Sequence, residues 1–163
     1  MTRRRAVLTI PAALLLTRCG GSPPKPPAPP LLTLMIEGGA DQNPNPTGQP
    51  APIELRLLYL AGTSAFDQAD VFALLDHEKE TLGQDEIGSE TLFVTPGERQ
   101  SVTRPLKPGV QAIGVIAMFR DIDAAQWRAE APAAPNGPTR LVLKTEKLAV
   151  TLAPAPTPAR SGS

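Results

Sequence analysis

The chain has 163 residues, enough for one domain of ordinary size, and its 20 prolines and 13 glycines work against a helical bundle. Its 16 basic and 16 acidic residues give a formal net charge of zero, and its single cysteine excludes an internal disulfide.

The first 18 residues have the layout of an export signal. A positive cluster, Arg3-Arg4-Arg5, precedes an apolar stretch from Ala6 to Leu16 that falls short of the roughly 20 residues a membrane-spanning helix needs. Removing residues 1–18 takes away four arginines and no acid, leaving 12 basic against 16 acidic residues and a net charge of −4. An acidic chain with no basic block is a poor partner for nucleic acid, because neutralised phosphates supply most of that affinity. Cys19 comes next. With His77 the only histidine and no second cysteine in the chain, Cys19 lacks both the nearby base of a catalytic thiol and the companions of a metal site. The order Leu16-Thr17-Arg18-Cys19 after an apolar run resembles a bacterial lipoprotein signal, with Arg18 where glycine, alanine or serine is usual. Cys19 is therefore the expected lipid attachment point. Buried acyl chains contribute about 0.8 kcal/mol per methylene, so several chains hold a protein durably at a membrane. Gly20 stands where an aspartate would favour retention at the inner membrane, which points to the outer membrane.

Residues 19–30, with "GGSPPKPPAPP" from Gly20 to Pro30, are too poor in apolar surface to fold and read as an extended tether of about 3.1 Å per residue. The expected domain is 31–152, followed by a disordered proline-rich tail, 153–163. Within the domain, alternation of period two dominates. Leu31 to Gly39 reads as a strand with Leu32, Leu34 and Ile36 on one face, and Ile53 to Gly62 as a second, with Ile53, Leu55, Leu57 and Tyr59 opposed to Glu54, Arg56, Leu58 and Leu60. Shorter strands are expected at 90–94, 100–105, 111–119, 125–130, 139–145 and 147–152, with turns at Pro96-Gly97, Pro108-Gly109 and Asn136-Gly137-Pro138. Eight short strands punctuated in this way predict a mainly β fold, a sandwich of antiparallel strands. Thr63 to Gly83 departs from the pattern: it opens on cap-type residues, spaces Val71, Leu74, Leu75 and Leu82 at helical intervals, and ends at a glycine. A short helical segment over about 64–82, in one piece or two, is expected against the sandwich.

No catalytic constellation emerges. His77 lies in "DHEKE", the composition of a solvated helix face, and H-E-x-x-H is absent. Asp121 and Asp123 in "FRDID" have a spacing that suits calcium or acid–base work, but also an ordinary charged strand end. Neither a phosphate-binding glycine pattern nor a G-x-S-x-G elbow is present. Arg120, Trp127 and Arg128 pair the residue types of interaction hot spots. A packed indole with a guanidinium stacked on it is the simpler reading, because the chain has few aromatics to spare. The segment from Ala40 to Pro52, "ADQNPNPTGQPAP", is longer than the usual loop of about 4–6 residues. Its prolines limit the entropy lost on docking while Asn43, Asn45 and Gln49 offer donors and acceptors. A recognition loop and a plain surface loop both fit.

In their order and spacing, "NPNPTGQPAPIELRLLYL" (43–60), "FDQADVFALL" (66–75), "TLGQDEI" (81–87), "VTPGE" (94–98), "IGVIAMFRD" (113–121) and Trp127-Arg128 resemble the TssJ (SciN/VasD) family, the outer-membrane lipoproteins of type VI secretion systems. The resemblance covers most of 31–152 and implies a transthyretin-like two-sheet sandwich with an added helical segment. It also implies a non-enzymatic role, with no cofactor or metal beyond the covalent lipid on Cys19. Such a protein sits on the periplasmic face of the outer membrane, binds the periplasmic C-terminal part of TssM, and so docks a complex that includes TssL. The partner loop implied by the family maps onto Ala40 to Pro52, with Asn43, Pro44 and Asn45 at the apex and Thr47 and Gln49 beside them. Two other roles fit a sandwich lipoprotein: a periplasmic transthyretin-like ligand-binding module, and a generic lipoprotein assisting another secretion system. The single histidine argues against the histidine-based hydrolases of the transthyretin-like group.

Overall fold

A computed structural model describes residues 30–156. The expected signal segment, Cys19, the tether up to residue 29 and residues 157–163 of the expected tail lie outside them. The domain is a sandwich of two four-stranded sheets. The strands are β1 (Leu31–Gly38), β2 (Ile53–Leu60), β3 (Glu86–Val94), β4 (Arg99–Pro105), β5 (Ala112–Ala117), β6 (Arg128–Pro132), β7 (Thr139–Thr145) and β8 (Val150–Pro154). Sheet A has the order β4-β1-β7-β8 and sheet B the order β3-β2-β5-β6. All eight strands expected from the alternation are present, and β8 runs two residues beyond Leu152, where the sequence placed the end of the domain.

One pairing corrects the all-antiparallel expectation. β1 and β7 run parallel, with Leu34 opposite Leu141 and Ile36 opposite Leu143, while every other strand pair is antiparallel. Alternation along a strand reports which face is buried and carries no information about the direction of a neighbour. The chain returns to β1 twice: β4 pairs with it antiparallel after β2 and β3, and β7 takes its other side, parallel, after a crossover from β5 and β6 in sheet B.

The helical segment is also divided more finely than its periodicity suggests. It forms α1 (Ser64–Gln68), α2 (Val71–Asp76) and α3 (Glu78–Leu82), then a single 3-10 turn at Gly83–Asp85. Asp70, in extended backbone, restarts the helix by accepting hydrogen bonds from the amides of Phe72 and Ala73 at 2.9 and 3.0 Å. The three pieces lie on the outer side of sheet B, and this explains two continuous apolar runs. On β2, Ile53, Leu55 and Leu57 enter the core between the sheets, whereas Leu58 and Leu60 join Phe66, Leu74 and Leu82 in a second core beneath the helices. On β5, Ile113, Val115 and Ala117 face the first core and Ala112 and Ile116 the second. Strands covered on both faces lose their polar positions, as in sheets sheltered by helices. Gly114 lets the helices close down, since a Cβ there would lie 3.0 Å from Leu60 Cδ1 and 3.3 Å from Phe66 Cζ. Trp127 packs half-buried against both cores with the Arg128 guanidinium 4.7 Å from its ring centre, the packed arrangement expected for this pair. Arg128 also donates to the carbonyls of Phe66 and Ala69 at 2.7 and 3.0 Å, closing the open end of α1.

The strand directions give the sandwich two unlike ends. Pro30, the β4–β5 turn, the β6–β7 turn and the end of β8 lie together at one end. The 39–52 loop, the β3–β4 turn, the β5–β6 connection and the β7–β8 turn gather at the other.

Candidate functional site

The 39–52 loop is built as a rigid projection. At its base, Gln42 is completely buried and its side-chain amide donates to the carbonyl oxygens of Val94 at 2.8 Å and Ala51 at 3.3 Å, while its Oε1 accepts from the Thr145 hydroxyl. Thr145, on β7, is itself 1% exposed, so the loop root is fixed to both sheets by a satisfied polar network. A side chain at Gly39 would collide with the Thr145 carbonyl oxygen, so only glycine lets the loop leave β1 here.

Asn43 follows, and it does not lie at the apex. It is 3% exposed and takes the left-handed conformation, with φ of 46°, which asparagine adopts more readily than most residues. Its Nδ2 donates to the Pro52 carbonyl at 2.8 Å, its Oδ1 accepts from the Arg120 amide at 2.8 Å, and its own amide donates to the Lys147 carbonyl at 3.0 Å. One residue thus joins the two stems of the loop to the β5–β6 connection through its side chain and to the β7–β8 turn through its backbone amide. The tip is organised separately by Asn45, whose Oδ1 accepts from the amides of Thr47 and Gln49 at 3.0 and 2.9 Å and from the Thr47 hydroxyl at 2.7 Å. These bonds close the tip locally, as an asparagine side chain does when it bonds the backbone a few residues on. Pro44 and Asn45 are half-buried, and the exposed members of the expected set are Thr47 and Gln49.

Between the loop and its neighbours lies an open cleft of about 650 Å3. Asp41, Pro44, Asn45 and Pro46 form its loop wall. Arg120 and Asp121 from the β5–β6 connection, with Lys147 and Leu148 from the β7–β8 turn, form the facing wall. The lining combines apolar rings and a leucine with two cations and two carboxylates, suited to holding a polypeptide or a small polar molecule. In this facing wall are Asp121, which the sequence offers for calcium or acid–base chemistry, and Arg120, which it offers for a hot spot with Trp127. Lys147 and Leu148 carried no signal, because only the parallel return of β7 brings their turn beside the loop.

The remaining chemical candidates are dispersed. His77 is exposed at the junction of α2 and α3, 3.6 Å from Glu80. Among the described residues there is no group of three or more histidine, cysteine or acidic side chains able to hold a metal ion, and no helix long and apolar enough to cross a membrane.

Comparison with known proteins gives consistent results. Residues 30–154 match the family described as type VI secretion lipoprotein, VasD, EvfM, TssJ. The comparison with curated proteins returned no significant match. Among solved structures, the chain is similar to the type VI secretion lipoprotein TssJ1 from Pseudomonas aeruginosa, with 30% identity over 80% of this chain and 100% of the other, at a TM-score of 0.76. It is similar to Serratia marcescens Lip, a membrane-bound component of the type VI secretion system, with 25% identity over 80% and 99% of the two chains and a TM-score of 0.68. A chain in the structure of the TssM C-terminal domain from EAEC matches at 26% identity, over 77% and 98%, with a TM-score of 0.63.

Proposed function

This chain belongs to the type VI secretion lipoprotein family, and from that membership we propose that it is a non-enzymatic anchor joining the outer membrane to the periplasmic C-terminal part of TssM. In this reading Cys19 is acylated after removal of 1–18, the protein sits on the periplasmic face of the outer membrane, and TssM in turn connects it to TssL. The observation that carries the reading is the polarity of the sandwich. The tether enters β1 at one end, while the ordered 39–52 loop and its cleft stand at the other. The eleven residues from Gly20 to Pro30 reach about 34 Å when extended, enough for a domain anchored by a lipid at Cys19 to stand clear of the membrane. A chain in a type VI membrane complex that is 27% identical to this one further supports the assignment.

The test has two parts. In cells fed labelled palmitate, wild type should take up label and Cys19→Ser should not; an unlabelled wild type in its native host would overturn the anchor. The mature protein should retain the periplasmic part of TssM in a pull-down, and failure to do so would overturn the docking role.

A further inference from the structure

We propose that the outer face of sheet A docks the helical layer of a second copy of this chain, so that anchored copies associate side by side in the plane of the membrane. The inference rests on the lipid anchor proposed above and concerns the flanks of the sandwich, not the 39–52 loop or its cleft. Sheet B is covered on its outer side by α1–α3, whereas among the described residues no element covers the outer side of sheet A. The register sets Ser101, Met35, Val142 and Ala153 in one uncharged row across all four strands of that face, and Leu31 lies further along β1 toward Pro30. Four large apolar side chains are exposed among the described residues, and they divide evenly between the two flanks. Leu31 and Met35 stand on the sheet A face; Phe72 on α2 and Phe93 on β3, opposite Glu54, stand on the outer side of sheet B.

Charge selects the occupant. The outer face of sheet A carries three cations, Arg99, Arg140 and Lys144, against the carboxylate of Glu37, a formal net of +2. The helices expose Asp67, Asp70, Asp76 and Glu80 against Lys79, a formal net of −3. Unlike flanks of two copies therefore attract, while like flanks oppose charges of the same sign. The chain's own flanking segments do not fit the positive face, since residues 20–29 and 157–163 bring Lys25 and Arg160 and no acid. Because the two surfaces lie on opposite sides of the sandwich, each copy accepts one neighbour and offers itself to another, a heterologous contact that extends into a row or a ring. Both surfaces flank the strands, so copies stacked in this way keep Pro30, where the described chain begins, on one side. Four strands about 4.8 Å apart, with seven paired residues of about 3.3 Å each, give the sheet face a footprint of about 440 Å2. That is little more than half of the ~800 Å2 per partner of a standard interface. The contact is therefore weak between free molecules and depends on the raised effective concentration of copies tethered to one surface.

The experiment uses the mature chain, 19–163, coupled through the thiol of Cys19, its only cysteine, to maleimide-bearing lipid in phosphatidylcholine vesicles. With a photo-crosslinking residue in place of Met35, irradiation should give a ladder of dimers and higher species joined to the α1–α3 segment of the neighbouring copy. The same chain free in solution should give roughly tenfold less crosslinked product, or lower still. Arg99→Glu with Arg140→Glu should cut the ladder roughly fivefold or more, as should Asp76→Lys with Glu80→Lys. A chain carrying all four changes restores unlike charge between the flanks and should recover most of the ladder, a rescue that loss of fold cannot produce. The inference is overturned if the anchored chain gives no ladder, or if the crosslink lands on the sheet A face of the other copy, on lipid or on residues 20–29. It is equally overturned if the charge-reversed chains match the unreversed one, or if the fourfold change brings no recovery. Since the lipid is supplied chemically, an absent ladder leaves the native anchor standing, whereas absent palmitate label in the native host overturns the anchor whatever the ladder shows.

Discussion

Replacing Gly114 with alanine tests how the helical layer is fitted to sheet B. The new methyl carbon would lie 3.0 Å from Leu60 Cδ1 and 3.3 Å from Phe66 Cζ, inside the ordinary carbon–carbon separation of about 3.5–4.0 Å. Overpacking of this kind costs about 1–3 kcal/mol, and the narrower unfolded ensemble of alanine offsets about 0.4–1 kcal/mol of it. The difference between these two terms spans about 0–2.6 kcal/mol of net destabilisation, centred near 1 kcal/mol. Phe66 is fully buried in the second core, so Phe66→Leu should cost about 1–2 kcal/mol, less than the ~3–5 kcal/mol of truncation to alanine. Leucine removes the ring atoms that crowd the added methyl, and the methyl refills part of the space they leave. The double variant should therefore be more stable than the sum of the single effects by about 1 kcal/mol. Urea unfolding of wild type, both single variants and the double variant, at one pH and temperature, gives every term of the cycle. Additivity within about 0.3 kcal/mol would refute the contact as the reason for a glycine at this position.

The pH dependence of stability has a defined sign. The Glu86 carboxyl is held above its ordinary value of 4.5, first by burial and then by the Glu78 carboxylate beside it, with Lys79 and Arg56 opposing. Its Oε2 is shielded from solvent and has no hydrogen-bond partner among the described residues. Glu130 is raised in the same way, by burial and then by Asp67, with Arg128 opposing. A folded value above the unfolded one means that the native state keeps the proton longer, so this stabilisation is complete below the ordinary value and is lost as pH rises through the folded value. The urea midpoint contribution of these groups should fall on going from about pH 4 to about pH 7, and Glu86→Gln should flatten the profile; an unchanged profile would contradict the assignment. Arg128→Ala removes two charged hydrogen bonds to the end of α1 and the stack on Trp127. It should cost about 2 kcal/mol and speed amide exchange in α1 before β5, and equal effects on both would argue against a local clamp.

How far the sequence could be read depended on whether the determinant was local. Alternation located the strands because each buries alternate residues, and the apolar stretches at Leu57-Leu58 and Ile113 to Ala117 marked strands covered on both faces. Direction of pairing was not legible, since Leu34 and Leu141 meet only through a crossover that no local pattern encodes. A division of the helix was legible as an option, but not its three pieces or their limits: no proline or glycine marks the breaks at Ala69-Asp70 and His77, and only the side-chain cap from Asp70 shows where the second piece begins. In the loop, composition identified the segment but not the division of labour within it. Asn43 and Asn45 look alike in sequence, yet one is a buried tie and the other the organiser of an exposed turn. The difference lies in a positive φ and in partners 77 residues away in the chain, for Arg120, and further still for Lys147.

The position of β1 also determines how the domain would bear force. The chain enters the domain at β1, which sits inside sheet A with seven register pairs to β4 on one side and seven to β7 on the other. Tension between a lipid at Cys19 and a partner held at the far end would run along β1. It would load both ladders in shear, so that many hydrogen bonds must yield together, whereas a strand at a sheet margin could be peeled away one bond at a time. Forced unfolding is governed by the height of the unfolding barrier. Attachment through an inner strand would give a load-bearing joint that equilibrium stability alone would not reveal.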